Sequence, residues 1–125
     1  MIYLDTHAVV WLYAKELNRF SRVGLESIES NELFISPMVT LELEYLYEAG
    51  RIRVRSRVIC DSLDQTVGLR VGEHSFAAVI RISLDQTWTR DPFDRIIVAH
   101  AKFVDAPLLT KDNSIIKHYK KAFWD

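Results

Sequence analysis

Five acidic residues stand at places where a chain could turn them to chemistry. In RDPFDR, residues 90–95, Asp91 and Asp94 flank a Pro-Phe pair at the mouth of the apolar run IIVAHA. Asp5 follows the short apolar stretch IYL, and Asp112 comes two residues after Leu108-Leu109-Thr110. Glu42 lies in PMVTLELEYLYE. In that segment Glu44 and Glu48 are i, i+4 neighbours and can share a wet face. Glu42 instead groups with Met38, Val39, Leu46 and Ala49 on an apolar face. A carboxylate there is costly unless something satisfies it. Each aspartate alone has a plain structural reading. Asp91 suits an N-cap with Pro92 at N1, and Asp94 suits the positive end of the helix dipole. Asp112 and Asp5 can cap helices of their own. Capping accounts for Asp91 but not for Glu42. A hard divalent cation would account for Glu42. Mg²⁺ and Mn²⁺ prefer oxygen ligands, and four crowded carboxylates without a cation repel until some take up protons. A held cation polarises a phosphoryl oxygen and lowers the pKa of a bound water. Asp5, Glu42, Asp94 and Asp112 therefore read as a metal site for phosphodiester hydrolysis.

The surrounding elements decide whether these acids can meet. IYL at 2–4 reads as a buried strand, and residues 6–17 as a helix that Asp5 or Thr6 can cap. A polar helix is expected over about 20–30. LFI at 33–35 reads as a second strand. Ser36-Pro37 then opens a helix that runs to Ala49 and stops at Gly50. Further helices are expected at about 56–66 and 75–84, with a short strand near 68–71. The helix from Pro92 is the clearest. Phe93, Ile96, Ile97, His100, Ala101 and Val104 form one stripe at i, i+3, i+4, i+7, i+8 and i+11. A strand at 107–110, a helix at 113–119 and a last strand at 122–124 complete the series. Short apolar strands alternating with helices argue for an α/β domain with a mainly parallel sheet covered on both faces. Ligands of such sheets bind beyond the carboxyl ends of the strands, where all the acids above are expected to lie.

Other chemistries find little support. His7, His74, His100 and His118 make no HExxH-like spacing. His100 reads as a core histidine, and His7 is close enough to Asp5 to touch the site. There is no G-x-S-x-G elbow and no glycine-rich phosphate loop. Trp11, Trp88, Trp124, Tyr13, Tyr45 and Tyr47 read as packing residues. With 125 residues, 49% apolar and 26% charged, the chain suits one globular domain spanning 1–125. No apolar run is long enough to cross a membrane, and MIYLDTHAVVWLYAKE does not read as a signal peptide. The single cysteine, Cys60, cannot form an internal disulfide, and a reducing cytosol fits best. The net charge of −1 does not mark a basic nucleic-acid binder, although local patches can hide in such a balance. GRIRVRSRV is one such patch. Arg51, Arg53, Arg55 and Arg57, four of the ten arginines, occupy alternate positions, and an extended chain would put them on one face toward phosphates or solvent.

Four segments together, MIYLDTHAVVWL, ISPMVTLELEYL, WTRDPFDRIIVAHA and LLTKDNSI, followed by a terminal Trp, resemble the PIN-domain nucleases. Within that group they are similar to the VapC-type toxins of type II toxin–antitoxin pairs. The resemblance spans nearly the whole chain. It implies a three-layer α/β/α fold around a parallel sheet and a divalent-metal ribonuclease leaving 5′-phosphate and 3′-hydroxyl ends. It assigns the acids at Asp5, Glu42, Asp94 and Asp112 as catalytic metal ligands. Thr6, Ser36 and Thr110 match hydroxyl positions that border such sites, and Asp91 matches a usual supporting acid. The resemblance further implies homodimers and a small antitoxin partner. The arginines at 51–57, with Arg95 and Lys111, are candidate RNA backbone contacts. Two rival readings remain open. A phosphoryl-transfer α/β domain of the haloacid-dehalogenase kind would want an aspartate where His7 stands. A non-catalytic interaction domain would keep the fold while having no use for the four acids.

Overall fold

The computed structural model describes all residues, 1–125. Five short strands are joined by helices: β1 (Ile2–Leu4), α1 (Thr6–Tyr13), α2 (Arg22–Ser30), β2 (Leu33–Ile35), α3 (Pro37–Glu48), α4 (Ser56–Val67), β3 (Arg70–Val71), α5 (Phe76–Ser83), α6 (Pro92–Phe103), β4 (Leu108–Leu109), α7 (Asn113–His118) and β5 (Ala122–Phe123). The strand order is β3-β2-β1-β4-β5, and every pairing is parallel. The chain steps from β1 to β2 to β3 in one direction, then crosses back to β4 and β5. For this strand order, the right-handed crossover rule for parallel strands assigns the helices of the first two connections to one face and those of the last two to the other. The result is three layers, helix on sheet on helix. The direction of winding reverses at β1, between β2 and β4, so a crevice opens beyond the carboxyl ends of β1 and β4.

The core explains why such short strands suffice. Leu4, Ile35, Val39, Leu43, Val98, Leu108, Leu109 and Ile115 are fully buried within one apolar cluster. Each large aliphatic side chain so buried contributes about 1.5–3 kcal/mol. The helix starts are written locally. Ser21 accepts from the N–H of Gly24, and Ser36 from that of Met38 with Pro37 following. Ser75 does the same for Ala78.

The structure corrects three of the sequence expectations. The first helix ends at Tyr13, not residue 17, because Lys15 adopts a left-handed φ of 58° and the chain closes with a 3-10 turn over Leu17–Arg19. On α3, Glu44 is half-buried and Ala49 is exposed. The wet face therefore excludes Glu44, and the apolar face excludes Ala49. On α6, burial is not a single stripe: Ile97, Val98, Ala99, His100 and Ala101 are all buried. That helix is packed against α5 more extensively than any other helix pair in the molecule.

His100 is a core histidine, 3% exposed. Its Nε2 lies 3.4 Å from the Tyr3 hydroxyl, and that hydroxyl is 3.5 Å from Nε2 of His74. Burial and the neighbouring His74 push His100 down to about 4. Gly72 permits this arrangement, since a Cβ there would stand 2.2 Å from the Tyr3 hydroxyl.

Candidate active site

The acids converge in the crevice at the winding reversal. Asp5 ends β1 and caps α1. Its Oδ1 accepts from the backbone N–H of Thr6 at 2.8 Å, and its Oδ2 accepts from the hydroxyl of Thr110 at 2.6 Å. Asp5 is buried, and Thr110 completely so. The Thr110 hydroxyl oxygen in turn accepts from the N–H of Asp112 at 3.1 Å. Asp112 caps α7 through the N–H groups of Ser114 and Ile115, at 2.8 and 3.2 Å. From α3, Glu42 accepts a hydrogen bond from the Thr6 hydroxyl. Asp91 caps α6 by accepting from the N–H of Phe93 at 2.8 Å, and Asp94 sits in the first turn. Thr6 and Thr110 thus orient two carboxylates, Asp5 at the end of β1 and Glu42 on α3.

A pocket of 450 Å³ is walled by Asp5, Glu42, Asp91, Asp94 and Asp112, together with His7, Trp11 and Lys111. None of these acids is in an ion pair. The four salt bridges of the molecule are Arg19–Glu16, Arg22–Glu26, Arg55–Glu44 and Lys121–Asp105. The electrostatic consequence is plain. Asp94 is pushed up to about 7, first by burial and then by the charges of Asp91, Asp5, Asp112 and Glu42. Burial also raises Glu42, against the hydrogen bond from Thr6, with Asp5 and Asp91 pushing further up. Asp5 is raised by burial despite its bonds to Thr110 and Thr6.

The carboxylates fit a hard divalent cation: oxygen donors, partly desolvated and without an ion-pair partner. The side chains stand apart, and no three meet around one point at ligating spacing. That suits a cation held by one or two carboxylates and completed by water and substrate oxygens, the usual mode for Mg²⁺.

The remaining expected site residues are dispersed. Ser36 caps α3 and lines a separate 730 Å³ cleft with His74 and His100. The arginine stretch is not a strand: residues 51–55 form a loop, and Arg57 already belongs to α4. Arg51 shares a groove with Glu42 and Phe93 beside the acids. Arg53 is exposed. Arg55 is bound to Glu44 at 2.5 Å, and with Arg57 it lines another cleft. Arg95 donates to the carbonyl of Thr89 at 2.7 Å. Lys111 alone among the basic candidates enters the acidic pocket. Trp11, read from the sequence as packing, is also part of the wall. Its position one helical turn after His7, which follows Asp5 by two residues, was the available signal.

Residues 2–121 match the model of the PIN domain family. The chain belongs to that family. This PIN domain is 29% identical over 119 residues to ribonuclease VapC22 of Mycobacterium tuberculosis (strain ATCC 25618 / H37Rv), covering 94% of the chain and 91% of the relative. Its fold is similar to the crystal structure of VapBC2 from Rickettsia felis bound to a DNA fragment from their promoter. The TM-score is 0.68, with 23% identity over 100% of both chains.

Proposed function

We propose that this PIN domain is a divalent-metal-dependent endoribonuclease and the toxin of a toxin–antitoxin pair. The observation that carries the activity is the gathering of Asp5, Glu42, Asp94 and Asp112 in one crevice with no ion-pair partner among them. Its likeness to ribonuclease VapC22 supports RNA as substrate, and its fold-level likeness to VapBC2 supports a cognate antitoxin. We read it further as a cytosolic homodimer. The single cysteine suits that compartment, and no helix is long and apolar enough to cross a membrane.

Asp5, Glu42, Asp94 and Asp112 would hold Mg²⁺ or Mn²⁺, one or two of them directly and the others through water. The bound cation would supply Lewis-acid polarisation of the phosphoryl oxygen and a more acidic water. The chain's own contribution is orientation and charge. Thr110 and the N–H of Thr6 fix both oxygens of Asp5, and the Thr6 hydroxyl fixes Glu42. Without a cation, burial and its acidic neighbours push Asp94 up to about 7; a bound divalent cation would offset that repulsion and favour the ionised carboxylate that holds it. Asp91 adds negative charge at the rim while starting α6.

The test is cleavage of a mixed structured-RNA pool by purified protein freed of any partner, in Mg²⁺, Mn²⁺ and EDTA, with Asp94→Asn beside wild type. Metal-dependent cutting that the variant lacks is expected. Cutting by Asp94→Asn at the wild-type rate would remove Asp94 from the site. No cutting in either metal, of that pool or of single-stranded RNA, would favour an interaction domain.

A further inference from the structure

Trp11 differs from the other two tryptophans. Trp124 is stacked on Phe20, with centroids 5.1 Å apart and planes at 20°. Trp88 is stacked on His118 at 4.9 Å and 3°, and its indole N–H donates to Gln86 at 2.9 Å. Trp11 has no parallel ring partner. Phe20 and Trp124 meet it at 87° and 77°, and His7 is tilted at 48°. Trp11 is also the one tryptophan in the wall of the acidic pocket. The Lys111 ammonium lies 5.8 Å from its centroid, and the Arg19 guanidinium 5.3 Å.

We infer that Trp11 and Lys111 form a nucleotide subsite beside the scissile phosphate, in which a nucleobase stacks on the indole and Lys111 meets that nucleotide's own phosphate. The inference rests on the nuclease reading and gives it a substrate-positioning element. An indole face is a sequence-tolerant platform for an unpaired base. A lysine beside five carboxylates is suited to a phosphate, whose charge the acids otherwise repel. The ammonium near the ring is carried on a flexible four-carbon stem, so an incoming base can take its place while the charge swings to the backbone. The subsite accepts single-stranded RNA, because a base inside a duplex has both faces covered by its stacked neighbours.

The experiment is an abasic scan. Single-stranded RNA that the wild type cuts is resynthesised with an abasic nucleotide at each position flanking the cut, and kcat/KM is measured in Mg²⁺. At one flanking position the wild type should lose about 10-fold, the scale of one base–aromatic stack. Trp11→Leu should be slower on intact RNA and indifferent to that abasic change, while Trp11→Phe should keep the sensitivity. Equal abasic losses in wild type and Trp11→Leu, or no sensitive position, would overturn the subsite and leave the nuclease intact. If the wild type cuts no RNA, the nuclease reading fails and the subsite falls with it. Should Trp11→Leu not fold, tryptophan emission of the wild type decides. Quenching by an intact but uncleavable oligonucleotide, and less by its abasic analogue, supports stacking; equal quenching by both refutes it.

Discussion

Glu42 and Glu44 are two residues apart on one helix, and the fold treats them in opposite ways. Glu44 takes the Arg55 guanidinium at 2.5 Å and the N–H of Ser56 at 3.2 Å, so it joins the end of α3 to the start of α4. These bonds hold its carboxyl below the ordinary glutamate range. Glu42 takes one hydroxyl, from Thr6, and faces Asp5 and Asp91; burial raises it. A structural carboxylate is given its counter-charge by the chain. Glu42 has no ion-pair partner, and the repulsion it carries beside its acidic neighbours is one that a bound cation would relieve.

The most severe way to break this comparison is to neutralise the unpaired acids. Glu42→Gln and Asp94→Asn keep size and remove charge. Each should lower metal-dependent RNA cleavage by at least about 100-fold, the scale of losing one electrostatic stabiliser at a reacting centre. Circular dichroism should show the fold retained. Cleavage by Glu42→Gln at the wild-type rate would mean that isolation from counter-charge does not mark function on α3.

Next in size are the hydroxyls that aim the acids. Thr110→Val preserves shape within the buried core but removes the donor to Asp5 and the acceptor for the N–H of Asp112. Loss of groups that orient metal ligands typically costs 10–100-fold, and about that loss in kcat/KM is expected. It should be partly recovered at high Mn²⁺. If Thr110→Val only lowered Tm and left cleavage and its metal titration unchanged, the hydroxyl would be structural alone.

Much of this could be read from the chain, for definable reasons. The strands 2–4 and 33–35 are short apolar runs with helix-capping residues directly after them, so both their place and their parallel arrangement follow from local pattern. Glu42 was marked by sitting beside apolar neighbours at helical spacing. What the chain concealed depends on contacts between distant segments. Nothing near Glu44 announces Arg55, because the pair forms only when the loop after α3 folds back. The alternation of Arg51, Arg53 and Arg55 suggested one shared face if the chain were extended, yet Ile52 and Val54 between them pack against the core from a loop, and Arg55 turns to Glu44. Trp11 has the neighbours of a packing residue in the sequence, and only the positions of His7, Phe20 and Trp124 show that no ring lies parallel to it.

A smaller effect sharpens the electrostatic side. Asp94 has its proton affinity raised from 3.8 to about 7. A carboxyl raised on folding stabilises the fold fully below its ordinary range and loses that contribution as pH rises through the folded value. The metal-free protein should therefore lose Tm from this group between about pH 4 and pH 7. Above pH 7, Asp94→Asn should melt higher than wild type without metal, and Mg²⁺ should close the gap by stabilising the wild type. His100 acts in the other direction. Lowered to about 4, it favours the fold above its ordinary range and withdraws that support as pH falls toward 4. Differential scanning fluorimetry across pH 4–8, with and without Mg²⁺, measures both. A wild-type Tm above pH 7 that exceeds that of metal-free Asp94→Asn would show the acids to be satisfied without a cation.

The smallest expected effect belongs to Glu44→Gln. Arg55 is largely exposed, 64% at the side chain against 22% for Glu44, so solvent and salt screen the pair. The amide oxygen of glutamine can still accept from the N–H of Ser56. Tm should fall slightly at low salt and match wild type at high salt, and cleavage should be unchanged. The value of this variant lies in its pairing with Glu42→Gln: same helix, same chemical change, opposite expected consequence. If Glu44→Gln impaired cleavage as Glu42→Gln does, the Arg55 ion pair would have to be part of the catalytic apparatus. The working site would then extend past Glu42 into the cleft that Glu44 and Arg55 share with Arg57.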